Sequence, residues 1–390
     1  MLILVLNPGS SSVKYQVRHM GESGTKPRIL HSHVASTPHG GGLDPVSLDG
    51  LFDGVEAVTG SFASGTRLDG IGHRVVHGGQ LYRAPVRVTR DVIQAIEDLD
   101  ELAPLHNAAS AGYMRAAHAR WPDTPQVAVF DTAFHRTMPD FASHYAVPEN
   151  LSVKYGILRY GFHGISVEMA CRNTAAFLGI PVPSLNIVVA HLGSGASVTA
   201  IKMGRSVDTS MGMTPLAGLV MGTRSGDVDP SVITFLQRRG LGRDEVDELL
   251  NRGSGLQGLT GSADMRDVLE AAQRGEAQAV LAADMAAYRL AKYIAAYNMA
   301  VGGASALVFT GGVGEHSASF RSRVVSLLGP LGLSLDHRKN GIDDGTIRTI
   351  SATQSAFPLL VVPCDEERAI AEATAAFLAP GNKTGGSLND

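Results

Sequence analysis

Leu2-Ile3-Leu4-Val5-Leu6-Asn7-Pro8-Gly9-Ser10-Ser11-Ser12-Val13-Lys14-Tyr15-Gln16-Val17 reads as two short strands around a polar turn. Small residues fill the turn, so its backbone N–H groups and hydroxyls can face a phosphate, with Lys14 near at hand. It is not a Walker A loop, because that motif opens a helix and Lys14 to Val17 continue with strand-like alternation. Standing alone, the motif could instead be a serine-rich hairpin turn, the lesser of the two readings. The pattern returns, however, where Asn186-Ile187-Val188-Val189-Ala190 meets His191-Leu192-Gly193-Ser194-Gly195-Ala196-Ser197 and the strand from Val198 to Lys202. Each copy runs strand, Asn or His, any residue, Gly-Ser, small residues, a Ser and a second strand; the second copy is one residue longer. A degenerate repeat separated by nearly half the chain implies a duplication, with one phosphate-facing hairpin per domain. A third buried strand, Ala306-Leu307-Val308-Phe309-Thr310, runs into Gly311-Gly312-Val313-Gly314-Glu315, read as a glycine turn.

Between these points the pattern is uneven. From Gly21 to about Gly70 it is loose, with Gly, His, Pro and Ser between short apolar groups. Ile71 to Gly79 reads as a buried strand ending in a glycine turn, and Asp91 to Leu102 has the helical spacing of Val92, Ile93, Ile96 and Leu99. That helix is expected to stop near Pro104, leaving Leu105, His106 and Asn107 to open the next element. A strand at Val127 to Phe130 leads into Asp131, and Glu168 to Leu178 reads as a helix. Residues 380–390 have almost no apolar content and are expected to be a disordered tail.

A chain of 390 residues exceeds one ordinary core, and two domains is the simplest division. A formal charge of −4 without a long basic run argues against nucleic acid or an anionic membrane as partner. Cys171 and Cys364 are the only cysteines, which gives neither a disulfide framework nor zinc-ligand spacing and fits a reduced, cytoplasmic setting. No secretory leader is expected, because Met1 leads straight into an apolar strand and a polar turn. The stretch from Ala286 to Val301 carries too many polar residues to span a bilayer and reads as a packed helix. The 45 glycines cluster in the motifs, which points to close backbone approach rather than general flexibility.

Arg74 and Arg224 stand in glycine-punctuated, apolar surroundings where an unpaired guanidinium is costly. Each could instead form a structural ion pair. His163, in Arg159-Tyr160-Gly161-Phe162-His163-Gly164-Ile165-Ser166, could be a satisfied core histidine, and Asp131 could merely cap a turn. Taken together with three glycine-rich strand ends, these segments resemble acetate kinase, within the superfamily that includes sugar kinases, chaperone ATPases and actin. The resemblance runs from Leu2 to about Ile370 and is most specific at Asn7 to Lys14 and Thr209 to Pro230.

That resemblance implies two duplicated ribonuclease-H-like α/β domains with mixed sheets and an active site in the cleft between them. Domain one would be 1–145 plus 366–390, with the C-terminal helix returning to it. Domain two would be 146–365, carrying nucleotide binding and dimerisation. The implied catalytic residues are Asp131, Arg74, His163 and Arg224, and the implied acceptor pocket is Arg74, Val76, Leu105, Phe162 and Pro215. Nucleotide contacts would come from Ser10, Ser12, Lys14, His191, Leu192, Gly193, Ser194, Gly195, Asp264, Met265, Arg266, Gly312, Val313, Gly314, Glu315 and His316. Asn7 and Glu366 would hold Mg²⁺, or Mn²⁺ in its place, with Glu367 the alternative one residue on. ATP/ADP would be the co-substrate, acetate the acceptor, and a homodimer the assembly. Three positions depart from the family pattern, which usually has His where Val167 stands, Asn at Ser194 and Asn at His316.

The implied reaction needs no general base, because a carboxylic acid of reference pKa about 4 is already anionic at neutral pH. Asp131 is therefore expected to orient an arginine or a metal-bound water. The apolar pocket fits a methyl or ethyl group, so acetate comes first and propionate or butyrate are the alternatives. A sugar kinase needs more polar side chains for hydroxyls than this pocket offers. A nucleotide-gated ATPase without an acceptor is the reading from another class.

Overall fold

The computed structural model describes residues 1–9, 12–21, 27–36, 45–61, 67–103 and 106–380. They form two compact units, one of residues 1–134 with 365–390 and the other of residues 135–364. The division falls at Phe134/His135, upstream of the expected 145/146, because His135 binds Ser206 and the Phe162 carbonyl of the second unit.

The first unit is built on strands β1 (Leu2–Pro8), β2 (Ser12–His19), β3 (Arg28–Ser36), β4 (Gly70–Val75), β5 (Val86–Arg87) and β6 (Gln126–Phe130), in the order β3-β2-β1-β4-β6-β5. The second contains β7 (Ile187–Leu192), β8 (Ala196–Lys202), β9 (Arg205–Thr209), β10 (Ala306–Thr310), β11 (Arg348–Thr349) and β12 (Leu359–Val361), in the order β9-β8-β7-β10-β12-β11. The pairings match step for step. Three antiparallel strands open each sheet, two parallel strands follow, and a short antiparallel strand closes it. The two hairpins read from the sequence are therefore the same hairpin in two copies, and the fold is a duplicated mixed α/β architecture.

Strand alternation sorts the first sheet into two faces. Leu2, Leu4 and Leu6 join Val13, Tyr15, Val17, Phe52 and Tyr113 in a core beneath helices Pro45–Ser61 and Asn107–Arg120. The opposite face carries Ile3, Val5 and Asn7 on β1 and Gly70, Gly72 and Arg74 on β4. Helix Glu366–Leu378 lies there, antiparallel to β4. A Cβ on Gly70 would collide with Leu378, and one on Gly72 would collide with Thr374 and stand 2.8 Å from Ile370 Cγ2. The missing side chains let the helix descend onto the sheet, and its first turn arrives level with Arg74 and Asn7.

Three expectations are corrected. The loose region before Gly70 contains β3 and helix Pro45–Ser61. The segment after β10 is a helix, Gly311–His316, because Glu315 turns back and accepts the Gly311 N–H at 2.9 Å. The helix expected from Asp91 to Leu102 ends at Glu97 and gives way to a 3₁₀ turn at Asp100–Leu102. The expectations for Ser10, Pro104, Leu105 and the tail from 381 onward fall outside the described residues. Among those residues, no helix is long and apolar enough to cross a membrane.

Replacing Gly72 by Ala forces a methyl group into the contact between β4 and helix Glu366–Leu378, and overpacking of this kind costs about 1–3 kcal/mol. Gly112, in helix Asn107–Arg120, has open space around it, so Gly112→Ala leaves stability unchanged or raises it by up to about 1 kcal/mol. Urea unfolding of both variants checks the contrast.

Candidate active site

Functional side chains in open α/β sheets collect at the carboxyl ends of parallel strands, and they do so in both units. In the first, Asn7 sits near the end of β1, Arg74 near the end of β4 and Asp131 just after β6. Arg74 is largely buried and donates to Asp131 Oδ2 from Nη2 at 2.6 Å and from Nε at 3.1 Å. Its Nη1 donates to Asn7 Oδ1 at 3.3 Å. The Asn7 amide donates in turn to Glu367 at 2.8 Å and Glu366 at 3.2 Å, at the start of the returning helix. Burial pulls the Arg74 guanidinium down, but Asp131, Glu366 and Glu367 together raise it above the ordinary arginine value. Asp131 is thus ion-paired with Arg74 through both Nη2 and Nε.

Asp365 caps the same helix by accepting the Arg368 N–H and pairs at 2.5 Å with the buried Arg18. Asp131 and Asp365 are each matched by an arginine, and Glu366 and Glu367 stand together at the Asn7 amide. Two neighbouring carboxylates supply oxygen donors of the kind a hard divalent cation takes. Lys14 is exposed and Ser12 is half-buried, both on β2. Val76 is buried, but it stands one residue beyond β4, so strand alternation does not tie its direction to that of Arg74.

In the second unit, His163 holds a left-handed backbone at φ 61°, a strained conformation for a non-glycine residue, immediately before helix Gly164–Leu178. Its Nδ1 lies 3.0 Å from the Ser197 hydroxyl, and its ring stands 4.3 Å from that of His191. His191 Nδ1 is held in turn by the Ser166 hydroxyl at 2.8 Å. Gly195 closes the β7-β8 hairpin beside them. A Cβ there would lie 3.3 Å from His163 Nε2 and 3.5 Å from Arg224 Nη1, so both donors face the same space above this glycine. The segment carrying Arg224 is pinned to the hairpin, with Gly222 N–H donating to the Ser194 carbonyl at 3.0 Å. Phe162 is buried and Pro215 half-buried in this unit.

A cavity of about 880 Å³ opens beside the hairpin within the second unit. It brings together Leu192, Gly193, Ser194, Asp264, Met265, Arg266, Gly312, Val313 and His316, while the lining excludes His191, Gly195, Gly314 and Glu315. Leu219, Val220, Met221 and Leu290 make much of the wall apolar, as a small-molecule site requires. Asp264 caps helix Met265–Gln273 and pairs with Arg266 at 2.5 Å. Glu315 accepts the N–H groups of Gly311 and Cys364, and burial raises its pKa above the ordinary carboxylate range.

A model of the Acetokinase family matches residues 47–372. The chain belongs to the acetokinase family. Acetate kinase from Pseudarthrobacter chlorophenolicus is 51% identical over 385 residues, covering 98% of this chain and 100% of that protein. Among solved structures, acetate kinase from Porphyromonas gingivalis matches with TM-score 0.85 and 38% identity, over 97% of this chain and 100% of that one. A propionate kinase from Francisella tularensis gives the same TM-score and identity over 96% and 99% of the two chains. Against that acetokinase background, sequence reasoning missed Arg18, Ser166 and Ser197 as partners of site residues. Only Ser197 carried a signal, as the serine that ends the repeat in its second copy.

His135 anchors this acetokinase site from below. Its Nε2 lies 2.9 Å from the Phe162 carbonyl and its Nδ1 2.9 Å from the Ser206 hydroxyl, and burial lowers its pKa to about 4 from an ordinary 6.5. Below the unfolded value the unfolded chain takes up a proton that the folded one refuses. The stabilising contribution is therefore complete above about pH 6.5 and is lost toward pH 4, by on the order of 3 kcal/mol. Unfolding free energies measured from about pH 7 down to about pH 4.5 fall in the native protein and fall less steeply in His135→Gln.

Proposed function

We infer that this chain transfers the γ-phosphoryl group of ATP to acetate, giving acetyl phosphate and ADP, reversibly and by direct in-line displacement. The inference rests above all on His163 Nε2 and Arg224 Nη1 facing one space above Gly195, a pair of donors suited to an anion in transfer. Family membership supplies the reaction class, and the match to acetate kinases over nearly the whole chain supplies the acceptor.

An acetate oxygen attacks the γ-phosphorus as the bond from that phosphorus to the bridging oxygen breaks, and ADP leaves with the electron pair. No proton need move, since the nucleophile is already ionised. Arg74 offsets the repulsion between the two anions and aligns the carboxylate, held in place by Asp131. His163 and Arg224 stabilise charge gathering on the equatorial oxygens. The cavity beside the β7-β8 hairpin takes the nucleotide, with its apolar wall against the base. Glu366, with Asn7 beside it, would hold Mg²⁺, which when bound would neutralise phosphate charge. The alternative acceptor is propionate, favoured by the similarity to a propionate kinase. The protein would act in the cytoplasm; that it does so as a homodimer is supported by exposed Leu281, Met285 and Tyr288, spaced to share one face of helix Ala277–Ala300.

Acyl phosphate formation from ATP, trapped with hydroxylamine across acetate, propionate and butyrate, tests the function directly. Turnover highest with acetate is expected; absence of any acyl phosphate overturns it. Arg74→Ala and Arg224→Ala should each lower kcat at least about 10²-fold, as expected for a lost transition-state contact. Arg74→Ala should also raise KM for acetate, and near-normal turnover in either variant contradicts the assignment.

A magnesium titration separates the two neighbouring glutamates. Glu366→Ala should raise the Mg²⁺ needed for half-maximal rate. Glu367→Ala should lower stability, because it removes a buried acceptor of the Asn7 amide, and leave the Mg²⁺ requirement unchanged. The reverse pattern would move the metal to Glu367.

A further inference from the structure

Arg321, in helix Ala318–Ser326, is 1% exposed, and no carboxylate among the described residues comes within ion-pairing distance of it. Four oxygens surround its guanidinium instead. Nη1 donates to the carbonyls of Gly314 and Glu315, both at 2.8 Å. Nε donates to Asn340 Oδ1 and Nη2 to the Asn340 carbonyl, both at 2.7 Å. The Asn340 amide is fixed by the Ala318 carbonyl and the Ser322 hydroxyl, so the far side of the fork is rigid. Burial lowers the Arg321 pKa to about 10, which leaves it charged at neutral pH.

A buried cation with no directly paired carboxylate is expensive, Asp343 offsetting only part of that cost from a distance, and a side chain with one apolar end would fill the same volume more cheaply. What the charge does here is satisfy the last carbonyls of helix Gly311–His316, which have no partners within the helix. The other end of that helix is held by Glu315 through the Gly311 N–H. Both ends are thus fixed, and Gly312, Val313 and His316 between them form one wall of the large cavity. Two further contacts from the same side reinforce the hold. Arg348 donates to the Glu315 carbonyl at 3.2 Å, and Asp343 accepts from His316 Nδ1 at 2.9 Å.

We propose that Arg321 is a positioning residue for the nucleotide: clamped by Asn340, it fixes helix Gly311–His316 so that Gly312, Val313 and His316 keep the shape of the cavity wall. The proposal rests on the assignment of that cavity to ATP. Arginine is required because its planar fork reaches the helix from one edge and Asn340 from the other, whereas a lysine ammonium serves one of them.

The experiment measures KM for ATP, KM for acetate and kcat in Arg321→Lys and Asn340→Ala, with the Kd for ADP from calorimetry and the Tm of each variant. Both variants should raise KM for ATP and Kd for ADP at least about 5-fold, with KM for acetate and kcat within about 2-fold of the native protein. Should Arg321→Lys fail to fold, Asn340→Ala decides alone, because it loosens the clamp and leaves the arginine in place. A lower Tm with unchanged nucleotide constants means a structural role only and overturns the proposal. An equal rise in both Michaelis constants reports general loosening and overturns it as well. A native protein that binds ADP but forms no acyl phosphate would contradict the kinase reading while leaving the calorimetric test of the clamp intact.

Discussion

Helix Glu366–Leu378 meets β4 at backbone distance, and the polar centre of the first unit depends on that contact. Gly70 and Gly72 share a strand face with Arg74, so the feature that admits the helix also aims the arginine at its first turn. With side chains at those two positions the helix would be lifted from the sheet. Glu366 and Glu367 would then lose Asn7, and Asp365 would lose Arg18. The acidic first turn is at ease there for a second reason, since the positive end of the helix dipole offsets part of its charge.

The second unit solves a related problem with different chemistry. At the position where β1 carries Asn7, the equivalent strand β7 carries His191, and the hairpin that follows ends in a glycine small enough for an imidazole and a guanidinium to face one space. His163 reaches that space only by adopting a left-handed backbone, a strain sustained by Ser197 on one side and by the start of helix Gly164–Leu178 on the other. Duplication supplied two copies of a strand end, and substitution gave one carboxylates and the other imidazoles beside a guanidinium.

Much of this was legible in the sequence where apolar runs met glycine and serine. Both hairpins, the strand carrying Arg74 and the strand before Asp131 read correctly, because buried strands of parallel sheets are continuous apolar runs with abrupt ends. Strand β3 did not, since an exposed edge strand reading Arg28-Ile29-Leu30-His31-Ser32-His33-Val34 carries no clean alternation. Helix Pro45–Ser61 was hidden by three glycines, of which Gly54 gives the Tyr15 hydroxyl room to approach. The site's residue types were visible as family matches, but their partners were not. Arg18 and Asp365 lie 347 positions apart, and nothing local marks either as half of a pair. Arg321 reads as one more surface arginine on a short helix until its burial is seen.

The return of the last helix to the first sheet also imposes an order of events during synthesis. The second unit is one continuous stretch, residues 135–364, and can complete its own core as soon as that stretch has emerged. The first unit cannot. Its face bearing Ile3, Val5, Gly70 and Gly72 stays uncovered until residues 366–378 arrive, so a chain halted anywhere before them displays a bare apolar sheet. Completion of the polypeptide and closure of its earliest-made domain are therefore a single event, and truncated products are marked for chaperone capture by the surface they expose.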